Sequence, residues 1–213
     1  MLRRIVDFLN PWKRNDPNLL EYLELNEWYE SLSEEEQRKL GKYSTVFGES
    51  DVGALLNQSI SSTSQTQQSY LKSVGSRAAR NEDYEFAEKV LLRALEAEDD
   101  NPNDRHFVYN TLIRMYYDQR DERADAIENC IKYCKEDIDH IDEFLSVLDQ
   151  DSNIDHLPSI PSFKRLAIIY ERQGKYRDAV EICEMALERG LTDGTKGGFE
   201  GRKQRLQSQI DDS

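Results

Sequence analysis

The sequence predicts an all-α protein, an α-solenoid of antiparallel helix-pair repeats with an N-terminal helical hairpin and a C-terminal capping helix. Three observations support this fold class. Apolar residues recur three and four positions apart, which is the period of an α-helix. One such apolar pattern occurs in three copies after residue 69. The chain has 5 prolines in 213 residues, with 38% hydrophobic and 33% charged residues, which is typical of a folded helical protein rather than a disordered chain.

Residues 1–15, MLRRIVDFLNPWKRN, form a short basic amphipathic segment. Four basic residues accompany one acidic residue, Asp7. The basic residues are Arg3, Arg4, Lys13 and Arg14, and the apolar residues are Leu2, Ile5, Val6, Phe8, Leu9 and Trp12. Such a segment either packs on the domain or lies on an anionic membrane surface. Because Asp7 breaks the apolar run and no small-residue cleavage site follows, a secretory signal is not expected.

A helical region is predicted over residues 16–56. Asp16 before Pro17 resembles an N-cap followed by proline at the first helical position. An apolar stripe then continues from Leu19 to about Leu32. We therefore expect the first helix of a hairpin here.

The second helix of the hairpin is predicted to begin after Ser33, because Ser33 and Glu36 have the spacing of a capping box. It should extend to about Tyr43. Residues 57–69, NQSISSTSQTQQS, then contain a single apolar residue, Ile60. This segment is predicted to be a polar linker and is the best candidate for a domain boundary.

The remaining chain, residues 70–213, carries one apolar pattern in three copies. Each copy has two stripes, and the second begins with an alanine nine or ten residues after the first ends. The first stripes are Leu71, Val74, Gly75 and Ala78; Tyr109, Leu112, Ile113 and Tyr116; and Phe163, Leu166, Ala167 and Tyr170. The second stripes are Ala87, Leu91 and Ala94; Ala126, Cys130 and Tyr133; and Ala179, Cys183 and Ala186. Small residues let paired helices approach closely, so we expect helix pairs at about 70–101, 106–138 and 160–193.

These units resemble tetratricopeptide repeats, and the third copy has the most specific match. It carries the aromatic, small and tyrosine positions of that signature at Phe163, Leu166, Ala167, Tyr170, Tyr176, Ala179, Cys183 and Ala186. The second copy departs from the signature, because Tyr133 replaces its last alanine. Together with WYESLSEEEQRKL near the N-terminus, the third copy also resembles small, largely uncharacterised prokaryotic proteins of this repeat type. That resemblance implies no established activity.

Two further segments complete the predicted fold. Residues 139–159 are a helical insertion, because they have an apolar period of their own and lengthen the spacing between the second and third copies. Residues 198–210 form the capping helix, which should cover the exposed face of the third unit. Gly190 before Leu191 fits a helix C-cap.

No residue set points to catalysis, and we expect no enzyme activity, no cofactor and no metal. The three histidines are isolated in the sequence and are predicted to be solvent-exposed or capping residues. They are His106, His140 and His156. The three cysteines are an odd number, which does not favour disulfides, and all fall at predicted core positions. They are Cys130, Cys134 and Cys183.

The charge is unevenly distributed. The net charge is −14, and residues 81–159 hold 22 acidic and 8 basic residues, so this middle region carries the whole excess. An acidic surface repels nucleic acid and favours solubility. We expect a cytoplasmic, prokaryotic protein for which nucleic-acid binding is disfavoured.

The first helices of the repeats are predicted to present polar residues on a concave face. The predicted peptide-binding residues are Lys72, Arg80, Asn110, Arg114, Tyr117, Lys164, Arg165 and Arg172. A basic groove on an acidic protein would attract an anionic peptide. The alternative is that these cations lie on solvated helix faces and pair with neighbouring acids.

The resemblance also implies a comparison with the carboxylate clamp that some tetratricopeptide repeats use to hold a C-terminal carboxylate. Lys72 and Arg165 match the cationic positions of that clamp. Ser76 and Thr111 replace its asparagines, and Pro161 stands where a further lysine is expected. Two matches of five favour acidic or extended peptide binding rather than the clamp itself.

The sequence thus predicts a non-catalytic protein-protein interaction module, a scaffold or adaptor that binds an acidic peptide segment of unknown origin. One alternative is a membrane-surface adaptor anchored by residues 1–14. The other is a nucleic-acid-binding accessory protein, which the acidic middle region disfavours.

Overall fold

The structure is a computed structural model in which the described residues are all helical or irregular. It describes residues 16–45, 51–99, 101–150 and 160–212. The predicted basic segment, residues 1–15, lies outside the described residues. These ranges contain twelve α-helices and no β-strand.

Four helices precede the repeats. They are α1 (Leu19–Tyr22), α2 (Asn26–Ser31), α3 (Glu34–Tyr43) and α4 (Val52–Asn57). Eight helices follow. They are α5 (Gln67–Arg80), α6 (Tyr84–Leu95), α7 (Pro102–Asp118), α8 (Ala126–Asp139), α9 (Ile141–Gln150), α10 (Pro161–Arg172), α11 (Tyr176–Glu188) and α12 (Gly198–Asp211).

The repeats are three helix pairs, α5 with α6, α7 with α8 and α10 with α11. Consecutive pairs also contact each other, through α5 and α7 and then through α8 and α10. The inserted helix α9 packs on α7 and α8, and α12 packs along α11. The predicted fold class, an all-α solenoid of helix pairs, is confirmed.

Small residues bring the helices of a pair together. A Cβ atom added to Gly75 on α5 would lie 2.6 Å from Cγ of Leu91 on α6. Ala78, Ala87 and Ala94 on the same two helices are completely buried. The stripes predicted from the sequence are therefore the contact faces of this pair.

Local capping signals explain several helix ends. The Ser33 hydroxyl accepts from the Glu36 backbone N–H, and the Glu36 carboxylate accepts from the Ser33 N–H, so the predicted capping box is present. At the end of α11, Gly190 has a φ of 68° and the Leu191 N–H donates to the Ala186 carbonyl over 3.0 Å. This is the left-handed helix termination that glycine favours.

The start of the first helix differs from the prediction. Asn18, not Asp16, caps α1, because its side chain accepts from the Glu21 N–H. The apolar stripe is also interrupted, since Glu24 has a φ of 55° and separates α1 from α2. The predicted single helix is therefore two short ones.

The polar segment after α4 is shorter and more closely packed than predicted. Thr66 caps α5, so this helix begins at Gln67, inside the segment 57–69. The one apolar residue of the segment, Ile60, is buried, and its N–H donates to the Pro17 carbonyl over 2.8 Å. This connection lies against the N-terminal helices.

The N-terminal helices pack on the first repeat through α3. Lys39 Nζ lies 2.9 Å from Asp83 Oδ1. The Ser44 and Tyr70 hydroxyls are 2.6 Å apart, and burial raises the pKa of Tyr70. These two contacts, of which only the Ser44–Tyr70 contact is buried, hold α3 beside the start of the array.

All three cysteines are buried and free. Burial raises the pKa of the Cys183 thiol to about 11. The prediction that they are small core residues is confirmed, and no metal-binding cluster of His, Cys, Asp or Glu occurs within the described ranges.

We predict that Gly75→Ala destabilises the protein by about 1–3 kcal/mol, because the new methyl group overlaps Leu91. Chemical denaturation monitored by circular dichroism measures the change. Ser73→Ala, on the same helix, is the control and should change stability far less. Equal stability of Gly75→Ala and the native protein would contradict the close approach.

We predict a pH-dependent effect of Glu36→Gln. The hydrogen bond from Lys89, with the one from the Ser33 N–H, lowers the pKa of Glu36 from 4.5 to about 2. The charged carboxylate therefore stabilises the fold above pH 4.5, and this contribution is lost as pH falls through about 2. The variant should be less stable by about 0.5–1 kcal/mol at pH 7, with the difference disappearing towards pH 2.

Thermal denaturation of the native protein and Glu36→Gln between pH 2 and 7 measures this difference. Glu34→Gln, at an exposed position of the same helix with no ion pair in the described structure, is the matched control. A stability difference that did not change with pH would show that the ionised carboxylate is not responsible.

Candidate functional site

A polar groove of about 440 Å³ lies between α5 and α7. Its lining residues are Lys72, Ser73, Ser76, Arg77, Arg80, Phe107, Asn110, Thr111 and Arg114. Four of them are cationic and none is acidic. The groove is thus basic although the chain has a net charge of −14.

Helix periodicity places these residues together. The apolar stripe of α5 faces α6, so the residues beside it face α7. The two helices are in direct contact at the groove, where the Ser76 and Thr111 hydroxyls are 3.1 Å apart. Thr111 also donates to the Phe107 carbonyl over 2.9 Å, which ties it to its own helix.

The groove cations differ in how far they are already engaged by other groups of the fold. Lys72 forms an ion pair with Asp104, and its Nζ lies 5.9 Å from the centre of the Phe107 ring. Arg77 donates to the Tyr43 carbonyl over 2.8 Å. Arg80 and Arg114 are exposed and form no ion pair with a described residue. The uncompensated positive charge is therefore at the end of the groove formed by the last turns of α5 and α7.

Four of the eight predicted site residues line this groove: Lys72, Arg80, Asn110 and Arg114. The other four, Tyr117, Lys164, Arg165 and Arg172, are not among its lining residues. Lys164 donates to the Asp193 carbonyl over 2.8 Å. The Arg165 guanidinium lies 3.5 Å from the centre of the Tyr117 ring. The structure thus brings together four predicted residues of the first two units, while Tyr117 of the second unit and the three residues of the third unit lie outside the groove.

Five lining residues lie outside the predicted set, and two of them, Arg77 and Phe107, add a cation and an aromatic ring that the prediction did not include. The helical spacing contains the signal for both. Arg77 is four residues after Ser73 and three before Arg80, and Phe107 is three residues before Asn110. The exposed fraction of Phe107 is 42%, which makes it an uncovered aromatic ring in the groove.

His106 is buried, and the prediction that it is exposed or capping is wrong. Its Nδ1 lies 2.7 Å from Asp137 Oδ1 on α8. Its Nε2 lies 2.9 Å from Asn110 Nδ2, and its ring stacks on Phe144 with centroids 3.9 Å apart. When the carboxylate accepts the Nδ1 proton, Nε2 accepts from the amide. A buried polar chain thus ends at Asn110, which lines the groove.

The other two histidines have different outcomes. His140 is the C-cap residue of α8, and its Nδ1 lies 2.8 Å from the Glu136 carbonyl oxygen, which fits the capping prediction. His156 lies outside the described residues.

The inserted helix α9 joins the second and third units. Phe144 packs its ring against His106, and Glu143 forms an ion pair with Arg105, both on α7. Asp142 accepts from Arg189, just after α11, over 2.7 and 2.9 Å. This hydrogen bonding lowers the pKa of Asp142. The insertion therefore supports α7 from the side that carries His106.

Comparison with known protein families gives a match for the third helix pair, α10 with α11. Residues 162–196, which include nearly all of α10 and the whole of α11, match the family model described as "Tetratricopeptide repeat". This helix pair is similar to a tetratricopeptide repeat. The match falls on the copy with the clearest signature in the sequence, and the predicted resemblance is confirmed.

A relative with the same overall extent is also known. An uncharacterized protein of Aquifex aeolicus (strain VF5) is 27% identical over 185 residues, which cover 84% of this chain and 88% of that protein. No solved structure matches the chain. No helix of the described ranges is long and apolar enough to cross a membrane.

Tetratricopeptide repeats are generally non-catalytic protein-interaction modules, so the match of the third helix pair favours an interaction role.

We predict that Asp137→Ala destabilises the protein by about 1–3 kcal/mol, because the His106 Nδ1–H donor is then buried without its acceptor. Chemical denaturation measures the loss. Asp139→Ala removes an exposed carboxylate two residues further along α8 and should have little effect. Equal effects of the two substitutions would contradict the proposed role of the buried pair.

Proposed function

We propose that the chain is a non-catalytic scaffold or adaptor whose α5–α7 groove binds a peptide segment with acidic side chains. The observation that carries this proposal is the lining of the groove, which has four cations and no carboxylate in a strongly acidic chain. The tetratricopeptide repeat supports the coarser part of the proposal, a role in protein interaction.

Charge complementarity is centred on Arg80 and Arg114. Since neither is paired with a described carboxylate, a ligand carboxylate does not have to displace an existing partner. Arginine also offers a planar set of N–H donors that matches two carboxylate oxygens. These two residues should therefore contribute most of the electrostatic attraction, and binding should weaken with added salt.

The other end of the groove offers a different contact. Lys72 is already paired with Asp104, and it lies beside the exposed ring of Phe107. Between the two ends, the Ser73 hydroxyl lines the groove and can accept a hydrogen bond from a peptide N–H. An extended acidic segment with an apolar side chain fits this sequence of contacts.

The remaining predicted residues have a smaller part in this proposal. Lys164 and Arg165 are engaged within the fold by Asp193 and Tyr117. Arg172 is exposed but is not among the groove residues. We therefore assign recognition to the first two repeat units rather than to all three.

We predict that Arg80→Glu with Arg114→Glu weakens binding of an acidic probe by about ten-fold or more, because two attractive charges become repulsive. The probe is a fluorescein-labelled decapeptide of alternating Glu and Ser, and fluorescence anisotropy measures its binding to the full chain. The probe in which Gln replaces Glu should bind weakly to both proteins.

The control variant is Arg38→Glu with Arg177→Glu, which changes the net charge equally at exposed positions outside the groove. It should retain most of the affinity. Equal losses in the two double variants would show that only the net charge matters, and a native chain that did not bind the acidic probe would contradict the proposal itself.

A further inference from the structure

A second groove, of about 370 Å³, lies between α8, α10 and α11 and has the opposite charge. Its lining residues are Lys135, Ile138, Asp139, Leu166, Tyr170, Asp178, Glu181, Ile182 and Met185. None of these residues lines the α5–α7 groove. We call this second site the acidic groove.

The floor of the acidic groove is apolar. Ile138 comes from the end of α8, Leu166 from α10, and Ile182 and Met185 from α11. Ile182 and Met185 are three residues apart on one side of α11, as are Asp178 and Glu181. An apolar floor and a charged rim are therefore built from the same helices.

The rim of the acidic groove is electrostatically uncompensated. Asp139, Asp178 and Glu181 are exposed, and none forms an ion pair with a described residue. Lys135 is the single cation among the lining residues. Three carboxylates against one ammonium group favour a cationic ligand and disfavour the acidic peptide proposed for the α5–α7 groove.

The chemistry that fits this site is a basic segment with apolar side chains. The chain contains one, because residues 1–15 carry Arg3, Arg4, Lys13 and Arg14 against Asp7 and a set of apolar residues. We propose that the acidic groove binds residues 1–15 of a second copy of the chain. The arginines would meet the rim carboxylates, and apolar side chains would contact the floor.

The order of helix contacts favours a second copy over the same molecule. Residues 1–15 precede α1, and the path from the end of α1 to the acidic groove crosses the contact of Leu23 with Gln67 on α5 and the contacts of α5 with α7 and of α7 with α8. At 8–10 Å for each pair of packed helices, this path is roughly 30 Å long. About nine residues of extended chain would span it, which leaves fewer than half of the fifteen for binding.

Reciprocal exchange of this segment would make a closed two-fold dimer, since each copy supplies one segment and one acidic groove. Such a dimer would present two α5–α7 grooves. Two linked grooves bind a ligand with two acidic segments more tightly than one groove does. Self-association would in this way strengthen the binding of acidic segments that we propose for the α5–α7 groove. The evidence for the acidic groove does not depend on that proposal.

Sedimentation equilibrium of the full chain at several concentrations tests the proposal. The native chain should be a dimer in equilibrium with monomer. Arg3→Glu with Arg4→Glu, and separately Asp178→Lys with Glu181→Lys, should each weaken dimerisation by about ten-fold or more. All four substitutions together should restore it, because the charges are exchanged across the same contact. Restoration also excludes misfolding as the cause of the loss.

Glu85→Lys with Glu128→Lys is the control for the groove variant, because it reverses two exposed carboxylates that do not line the acidic groove and should leave dimerisation unchanged. A native chain that is monomeric at all concentrations would overturn the proposal, as would dimerisation that neither reversal weakens. Suppose that Arg3→Glu with Arg4→Glu leaves dimerisation unchanged and reduces only the flotation of the chain with phosphatidylglycerol vesicles. The segment then binds membranes, and the proposal is wrong. Anisotropy with the acidic decapeptide tests the α5–α7 groove separately.

Discussion

The close packing of paired helices through small residues is the constraint on which the rest of the structure depends. Gly75 leaves no space for a Cβ beside the Leu91 side chain, so α5 and α6 pack closely at this position. One face of α5 is thereby committed to its partner. The adjacent face, which carries Lys72, Ser76 and Arg80, is left to face α7 and solvent. Packing of the pair therefore decides which side chains can recognise a ligand.

The α5–α7 groove also requires that α7 be held in place, because this helix forms its other wall. Its stripe packs on α8, while the inserted helix α9 covers His106 through Phe144. The buried contacts of Asp137 with His106 and of His106 with Asn110 then fix a groove side chain from behind. The insertion that makes the repeats irregular in sequence thus stabilises the wall on which the site is built.

Much of the fold could be predicted because its signals are local. The Ser33 capping box, the glycine termination at Gly190 and the small-residue stripes each act within a few residues. Burial of Ile60 and of His106 could not be predicted, since their partners are 43 and 31 residues away, at Pro17 and Asp137. The residues that line the α5–α7 groove were predicted only in part for the same reason. Helical spacing contains the signal for Arg77, but only the fold shows that Lys164 donates to the Asp193 carbonyl.

The central claim, that the α5–α7 groove is the recognition surface, is tested most directly by mapping where an acidic peptide binds. Two-dimensional ¹H–¹⁵N NMR spectra of the full chain would be recorded during titration with the alternating Glu and Ser decapeptide. We predict that the amide shifts that change are concentrated in residues 72–80 and 107–114, and that the changes are smaller at high salt. Changes confined to α10 and α11, or spread evenly over all basic residues, would contradict the account.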